Sequence, residues 1–270
     1  MSLSRHQLLE EMGLSPQWVR REPATVERGE KSTTSTTSTT STKRASLPAA
    51  PPPMPKADQF LATTADDRPA GGAERSAQIA QLGWDGLRQN IGACRACALC
   101  SERKQAVPGV GDENADWLFI GEGPGAEEDA RGEPFVGPAG KLLDAMLAAI
   151  DLKRGEDVYI ANAVKCRPPS NRTPEAAEMA ACAPYLKRQI ELLQPRVIVL
   201  LGRAAVNALL GEEGSLASLR GRPLVYRDGE REIPVVVTYH PAYLLRTLPD
   251  KAKAWEDLCR ARALMRSLRG

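Results

Sequence analysis

Four short apolar runs punctuate the chain beyond residue 115: residues 116–121, Val158–Asn162, Arg196–Leu201 and Ile233–Thr238. Each is rich in β-branched or aromatic residues and closed by a glycine, an asparagine or a polar pair, the pattern of a strand buried on both faces. Between them the apolar spacing changes. Leu143, Met146, Leu147 and Ile150 recur at helical intervals and predict a helix from about Gly140 to Ile150. Thr173-Pro174-Glu175 opens a longer helix that runs to about Leu193, with the threonine as cap and the proline in the first turn. Arg203–Leu210 and Pro249–Arg269 supply two more, and another precedes the first strand, from Ser76 to about Gly92. Strands alternating with helices predict an α/β fold, a three-layer α/β/α sandwich around a central, mainly parallel four-stranded sheet. A less regular stretch at 222–227 belongs at a sheet edge. No internal repeat is visible.

Upstream the periodicity vanishes. Ser32–Thr42 contains only serine and threonine, and Pro48, Pro51, Pro52, Pro53 and Pro55 follow. Such composition buries no apolar surface, so residues 23–75 are expected to be a disordered linker. It tethers an amphipathic helical peptide, residues 1–22, in which Leu8, Leu9, Met12 and Leu14 share one side and Trp18 follows. That peptide is either a tail without a role or a docking helix for a replication or repair protein. Its Leu8-Leu9-Glu10-Glu11-Met12-Gly13-Leu14 resembles the N-terminal peptide of the clamp-loader psi subunit. The ordered domain is then 76–270.

Charge sharpens this picture. The chain carries a net +2, but residues 101–160 sum to −7 and residues 161–270 to +7. An acidic half beside a basic one suits a carboxylate site that also holds a polyanion, or two solvated surfaces of opposite sign. The N-terminus has no apolar core of a secretory signal, and no apolar run reaches the ~18 residues of a membrane span. A cytoplasmic protein without a membrane anchor is expected.

Six cysteines in such a chain point to metal or catalysis rather than disulfides. Cys94-x-x-Cys97-x-x-Cys100 begins like a bacterial ferredoxin run, but Lys104 stands at the fourth ligand position. Cys166 and Cys182, on a loop and the helix after it, can complete a four-thiolate site that ties the N-terminal helix to the sheet. Zinc binds such a set as well as an iron–sulfur cluster does, so spacing leaves the metal open. Cys259, in the closing helix, is expected in the core.

After the first strand comes Gly121-Glu122-Gly123-Pro124-Gly125-Ala126-Glu127-Glu128-Asp129. The spacing formally matches a loose dinucleotide fingerprint. That fingerprint must open a helix whose N-terminus holds a pyrophosphate, and three consecutive acids oppose such a ligand. No helix is evident before about residue 138. Asn162 closes the second strand and His240 follows the fourth. In a parallel sheet the carboxyl ends share one crevice, so Glu122, Asn162 and His240 should converge there. A carboxylate, an amide and an imidazole make a hydrolytic site with one ligand-reading group.

Gly121-Glu122-Gly123-Pro124-Gly125-x-x-Glu128-Asp129, Pro134-Phe135-Val136-Gly137, Asn162-x-x-Lys165-Cys166-Arg167-Pro168-Pro169 and His240-Pro241-x-Tyr243-Leu244-Leu245 together resemble the family 4 uracil-DNA glycosylases, over about residues 90–265. The resemblance implies a monomeric repair enzyme that flips uracil out of DNA and hydrolyses its N-glycosidic bond. It implies a structural [4Fe–4S] cluster on Cys94, Cys97, Cys166 and Cys182, with Cys100 outside the ligand set. It also implies a pocket in which Phe135 stacks on the base, Asn162 reads its edge, and Gly123 and Glu128 contact it or shape the wall. His240 would bond the leaving uracil anion, and Glu122 would position water or steady the sugar cation. Tyr243, Leu244 and Leu245 would wedge the duplex open, with Arg246 and Lys165 or Arg167 near phosphates.

Two rivals remain. A superfamily member that binds uracil-DNA irreversibly uses a histidine after the second strand, and Arg167-Pro168-Pro169-Ser170-Asn171-Arg172-Thr173 has none. A non-enzymatic DNA-binding or electron-transfer iron–sulfur module would leave the convergence of Glu122, Asn162 and His240 without a purpose.

Overall fold

A computed structural model describes residues 71–212 and 214–270. The expectations for residues 1–22 and for most of the 23–75 linker lie outside them. The first described helix, α1, spans Gly71–Ile79, so helix begins inside the stretch assigned to the linker. The single helix expected from Ser76 is two, because Leu82-Gly83 breaks it before α2 (Trp84–Ala93).

The sheet has six strands, ordered β1 (Val110–Gly111), β3 (Val158–Asn162), β2 (Trp117–Gly121), β4 (Val197–Leu201), β6 (Arg231–Thr238), β5 (Leu224–Asp228). The middle four are parallel and coincide with the four apolar runs. The expectation of four strands therefore needs correcting to a mixed sheet with an antiparallel strand at each edge. Strand β1 is two residues long, too short for any periodicity. Strand β5 leads into β6 through the two-residue turn Gly229-Glu230, the first of which takes φ 60°.

Alternation sorts the buried strands onto two faces. Trp117, Phe119, Ile160, Val199 and Leu201 meet α4 (Pro138–Ala148) and α9 (Lys251–Arg269). Leu118, Ile120, Ala161, Ile198 and Leu200 meet α5 (Ala176–Leu193), α6 (Arg203–Leu210) and the one-turn α7 (Leu216–Leu219). Fully buried side chains such as Leu143 and Leu147 each contribute roughly 1.5–3 kcal/mol. A third cluster joins Ile79, Leu87 and Ile91 of the N-terminal helices to Cys182 and Tyr185 of α5. Cys259, expected in the core, is exposed: Asp257, Leu258 and Ala261 take the inward positions around it on α9.

One element was not foreseen. The glycine turn does open a helix, the short α3 (Ala126–Arg131). Its own Glu128 accepts a hydrogen bond from the Gly125 N–H at 3.1 Å, so a carboxylate already fills the end where a pyrophosphate would sit.

Candidate active site

The carboxyl ends of the parallel strands open on a cavity of about 660 Å³, whose walls include Glu122, Gly123, Phe135, Asn162 and His240. That is ample for a flipped nucleotide. Asn162 ends β3, and Gly121 faces it across the β2–β3 register. A Cβ on Gly121 would lie 2.5 Å from Asn162 Oδ1 and 2.5 Å from Phe135 Cζ. Only glycine lets that amide and that ring stand so close.

Phe135 is held rather than merely placed. Its backbone is left-handed, at φ 55°. Arg154 donates to the Pro134 and Phe135 carbonyls at 2.9 and 2.8 Å and is itself paired with Asp144. Gly140, in the first turn of α4, lies beneath: a Cβ there would meet the Phe135 carbonyl oxygen at 1.8 Å. A left-handed phenylalanine is costly and persists only where its surroundings over-determine it. The ring ends 5.4 Å from the His240 ring, its plane inclined to it by 30°. Asn162 is 2% exposed, and among the described residues its Oδ1 has no hydrogen-bond partner. A buried orphan acceptor at a cavity wall is what a ligand N–H satisfies.

His240 caps the one-turn helix α8 (Pro241–Leu244), its Nδ1 accepting from the Ala242 N–H at 3.1 Å. With Nδ1 an acceptor, the proton of the neutral ring sits on Nε2. Burial and then the Arg246 charge push its pKa down from 6.5 to about 4, against the opposing pull of Glu128, so the ring is neutral at physiological pH. Burial raises the Glu122 carboxyl above its ordinary range, and a hydrogen bond with Thr173 works the other way. Glu128 lines the cavity but is committed to the main chain, accepting from Val136 and Gly137 at 2.9 and 3.1 Å as well as from Gly125. It shapes the wall by holding the Phe135 loop.

Several expected DNA contacts are relocated. Lys165 is 1% exposed, its Nζ donating to the Asn162 carbonyl at 2.8 Å and to Gln189 Oε1 at 2.6 Å. It cannot reach a phosphate, and burial pushes its pKa down to about 8. Leu244 is 1% exposed, because it packs into the core one turn after Pro241, and so is no wedge. Tyr243 is half-buried, its hydroxyl donating to Asp250 at 2.6 Å and its ring stacked on Tyr239. Leu245, at 43%, and Arg246 remain on the surface. Arg167 is partly exposed, with Nε donating to Asn171 at 2.7 Å. Sequence reasoning missed Thr173, Arg203 and Tyr239, which also line the cavity. Nothing local marks them, although a glycine in the first turn of an otherwise apolar helix, Gly140, does signal a close approach.

Behind Lys165 lies a second, small cavity, lined by Cys94, Cys97, Cys100, Cys166 and Cys182. Arg103 donates to Cys166 Sγ at 2.9 Å and to the Gly92 and Cys94 carbonyls at 2.6 and 2.9 Å, bracing the two cysteine-bearing segments against each other. Arg75 reaches Cys94 Sγ at 3.5 Å, and the Lys165 N–H reaches Cys182 Sγ at 3.3 Å. Burial raises the Cys182 thiol to about 11, a value that a bound metal would reverse. The donor set, soft sulfurs ringed by cations and N–H groups, fits a thiolate-ligated metal centre. Among the described residues no three His, Cys, Asp or Glu side chains converge closely enough for a single metal ion.

The model of the uracil DNA glycosylase superfamily matches residues 108–259. The chain belongs to that superfamily. It is 44% identical over 175 residues to the type-4 uracil-DNA glycosylase of Sulfurisphaera tokodaii, covering 63% of this chain and 79% of the relative. It is 45% identical over 165 residues to that of Archaeoglobus fulgidus, covering 60% and 82%. With that of Thermotoga maritima it shares 42% over 183 residues, covering 67% and 93%. The matched superfamily region contains the entire crevice, from Glu122 to Arg246.

Proposed function

We propose that this superfamily member removes uracil from DNA by hydrolysing its N-glycosidic bond, leaving an abasic site for base excision repair. The observation that carries the reading is the orphan Asn162 Oδ1 in a pocket floored by Phe135. Uracil offers an N3–H donor beside the O4 acceptor, which an amide matches with Oδ1 and Nδ2. Cytosine reverses that pattern and leaves the amide opposed.

Flipping brings the base onto Phe135, where stacking replaces the neighbours lost from the duplex. Bond cleavage leaves cationic character on the sugar and negative charge on uracil. The neutral His240, with its proton on Nε2, donates to O2 as that charge develops, and a donor so placed contributes on the order of 10²–10³ in rate. Glu122 lines the same cavity, where a carboxylate orients the attacking water and offsets the sugar cation. Leu245 fills the gap left in the stack, and Arg246 and Arg167 meet flanking phosphates.

The thiol cavity holds a [4Fe–4S] cluster on Cys94, Cys97, Cys166 and Cys182. The reading rests on thiols that share one cavity with cations and N–H groups around them, and the family resemblance supplies the choice of cluster over zinc. Its chemistry here is structural, cross-linking α2 to the segment after β3; hydrolysis transfers no electron. We further read the protein as a cytoplasmic monomer, with residues 1–22 offered to a repair or replication partner.

Incubation with a uracil-containing oligonucleotide, followed by alkali, tests the reaction. Strand scission with turnover is expected. A stable protein–DNA crosslink would instead indicate the covalent binder, and intact DNA the non-enzymatic module.

A further inference from the structure

The cluster cavity contains one thiol more than a four-thiolate cluster uses. Cys97 precedes a 3₁₀ turn, Ala98–Cys100, closed by the Cys100 N–H donating to the Cys97 carbonyl at 3.3 Å. The turn keeps the two residues close, and both line the cavity with Cys94, Cys166 and Cys182. Both are half-buried, whereas Cys166 and Cys182 are buried. Cys94 has no such twin: it ends α2 in extended backbone, and Arg75 engages its sulfur.

We propose that Cys97 and Cys100 are interchangeable ligands for one corner of the cluster. The inference rests on the cluster reading above. The exchange breaks one Fe–S bond and forms another. The Cys100 proton leaves as its thiolate binds, and the released Cys97 thiolate takes up a proton, with no change of oxidation state. A corner with two candidate thiolates can survive loss or alkylation of either, a redundancy the other three corners lack.

The test compares iron and sulfide content, and absorbance near ~400 nm, for anaerobically purified wild type, Cys97→Ala, Cys100→Ala, the double variant and Cys166→Ala. Wild type and both single variants should hold about four irons per chain. The double variant and Cys166→Ala should lose them. A Cys97→Ala protein as depleted as the double variant overturns the proposal, and so does a double variant that keeps its iron. An iron-free wild type overturns the cluster reading and this inference with it. A second measurement does not depend on any variant folding. Native wild-type holoenzyme treated with iodoacetamide should yield peptides alkylated at Cys97 and others alkylated at Cys100, with iron content unchanged. Alkylation at Cys100 alone would refute the exchange.

Discussion

Gly121→Ala inserts a single methyl where the pocket is tightest. Its Cβ would stand 2.5 and 2.8 Å from Phe135 Cζ and Cε2, against an optimum of about 3.5–4.0 Å between carbons. The ring must retreat by about 1 Å. It cannot do so freely, since Arg154 and the turn above Gly140 hold its backbone and His240 lies 5.4 Å away. Asn162 Oδ1, also at 2.5 Å, must turn from the direction in which it would meet the base. Overpacking of this kind costs about 1–3 kcal/mol, or several degrees in Tm for a domain of this size. The larger effect falls on catalysis, because a displacement of ~1 Å in a positioning group can cost on the order of 10²-fold. Single-turnover cleavage of a uracil oligonucleotide, read beside thermal unfolding, separates the two effects. Gly92→Ala, whose Cβ would meet nothing within 4 Å, is the reference for a harmless methyl. A Gly121→Ala enzyme that cleaves at the wild-type rate would refute the close approach of ring and amide as the basis of the site.

His240 is one of two histidines, so its ring is readable by NMR, and it should titrate near 4 rather than 6.5. Because the folded value lies below the unfolded one, the unfolded chain binds the extra proton first. Stability should therefore fall as pH drops from 6.5 to 4 and lose nothing further from this group below that; Arg246→Ala should move the titration upward. Asn162→Asp should lose roughly a hundredfold or more on uracil and gain detectable scission of cytosine-containing DNA in paired oligonucleotide assays, and an unchanged uracil rate would sink the edge-reading role. Arg246→Ala should flatten the slope of log K against log salt by about 0.7–0.9, one phosphate contact, whereas Lys165→Met should leave that slope alone and destabilise the fold by about 1–3 kcal/mol in denaturant titration. A Lys165→Met protein with a reduced salt slope would show that the buried lysine does reach DNA.

The parallel core of the sheet was legible because strands covered on both faces are continuous apolar runs, and β2, β3, β4 and β6 each fit that description. Edge elements were not. Strand β1 is two residues long, and α3 is a six-residue helix, half of it acids, without an apolar stripe to announce it. In the site, Glu122, Asn162 and His240 were found from topology alone, since each follows or ends a parallel strand. Their supports were not, because Thr173, Arg154 and Gln189 lie far along the chain from the groups they hold.

Lys165 shows where reading residues as types breaks down. Beside Arg167, in a basic segment of a DNA enzyme, a lysine looks like a phosphate contact. Its fate is decided instead by Gln189, which lies on α5 and itself donates to the Pro108 carbonyl at 2.7 Å. Those partners make burial of the ammonium tolerable. Once buried, its Nζ holds the carbonyl of Asn162 while its own N–H meets Cys182 Sγ. Asn162 and the thiol cavity are thus joined through one residue, Lys165, by its side chain on one side and its main chain on the other. Charge at this position serves the rigidity of Asn162.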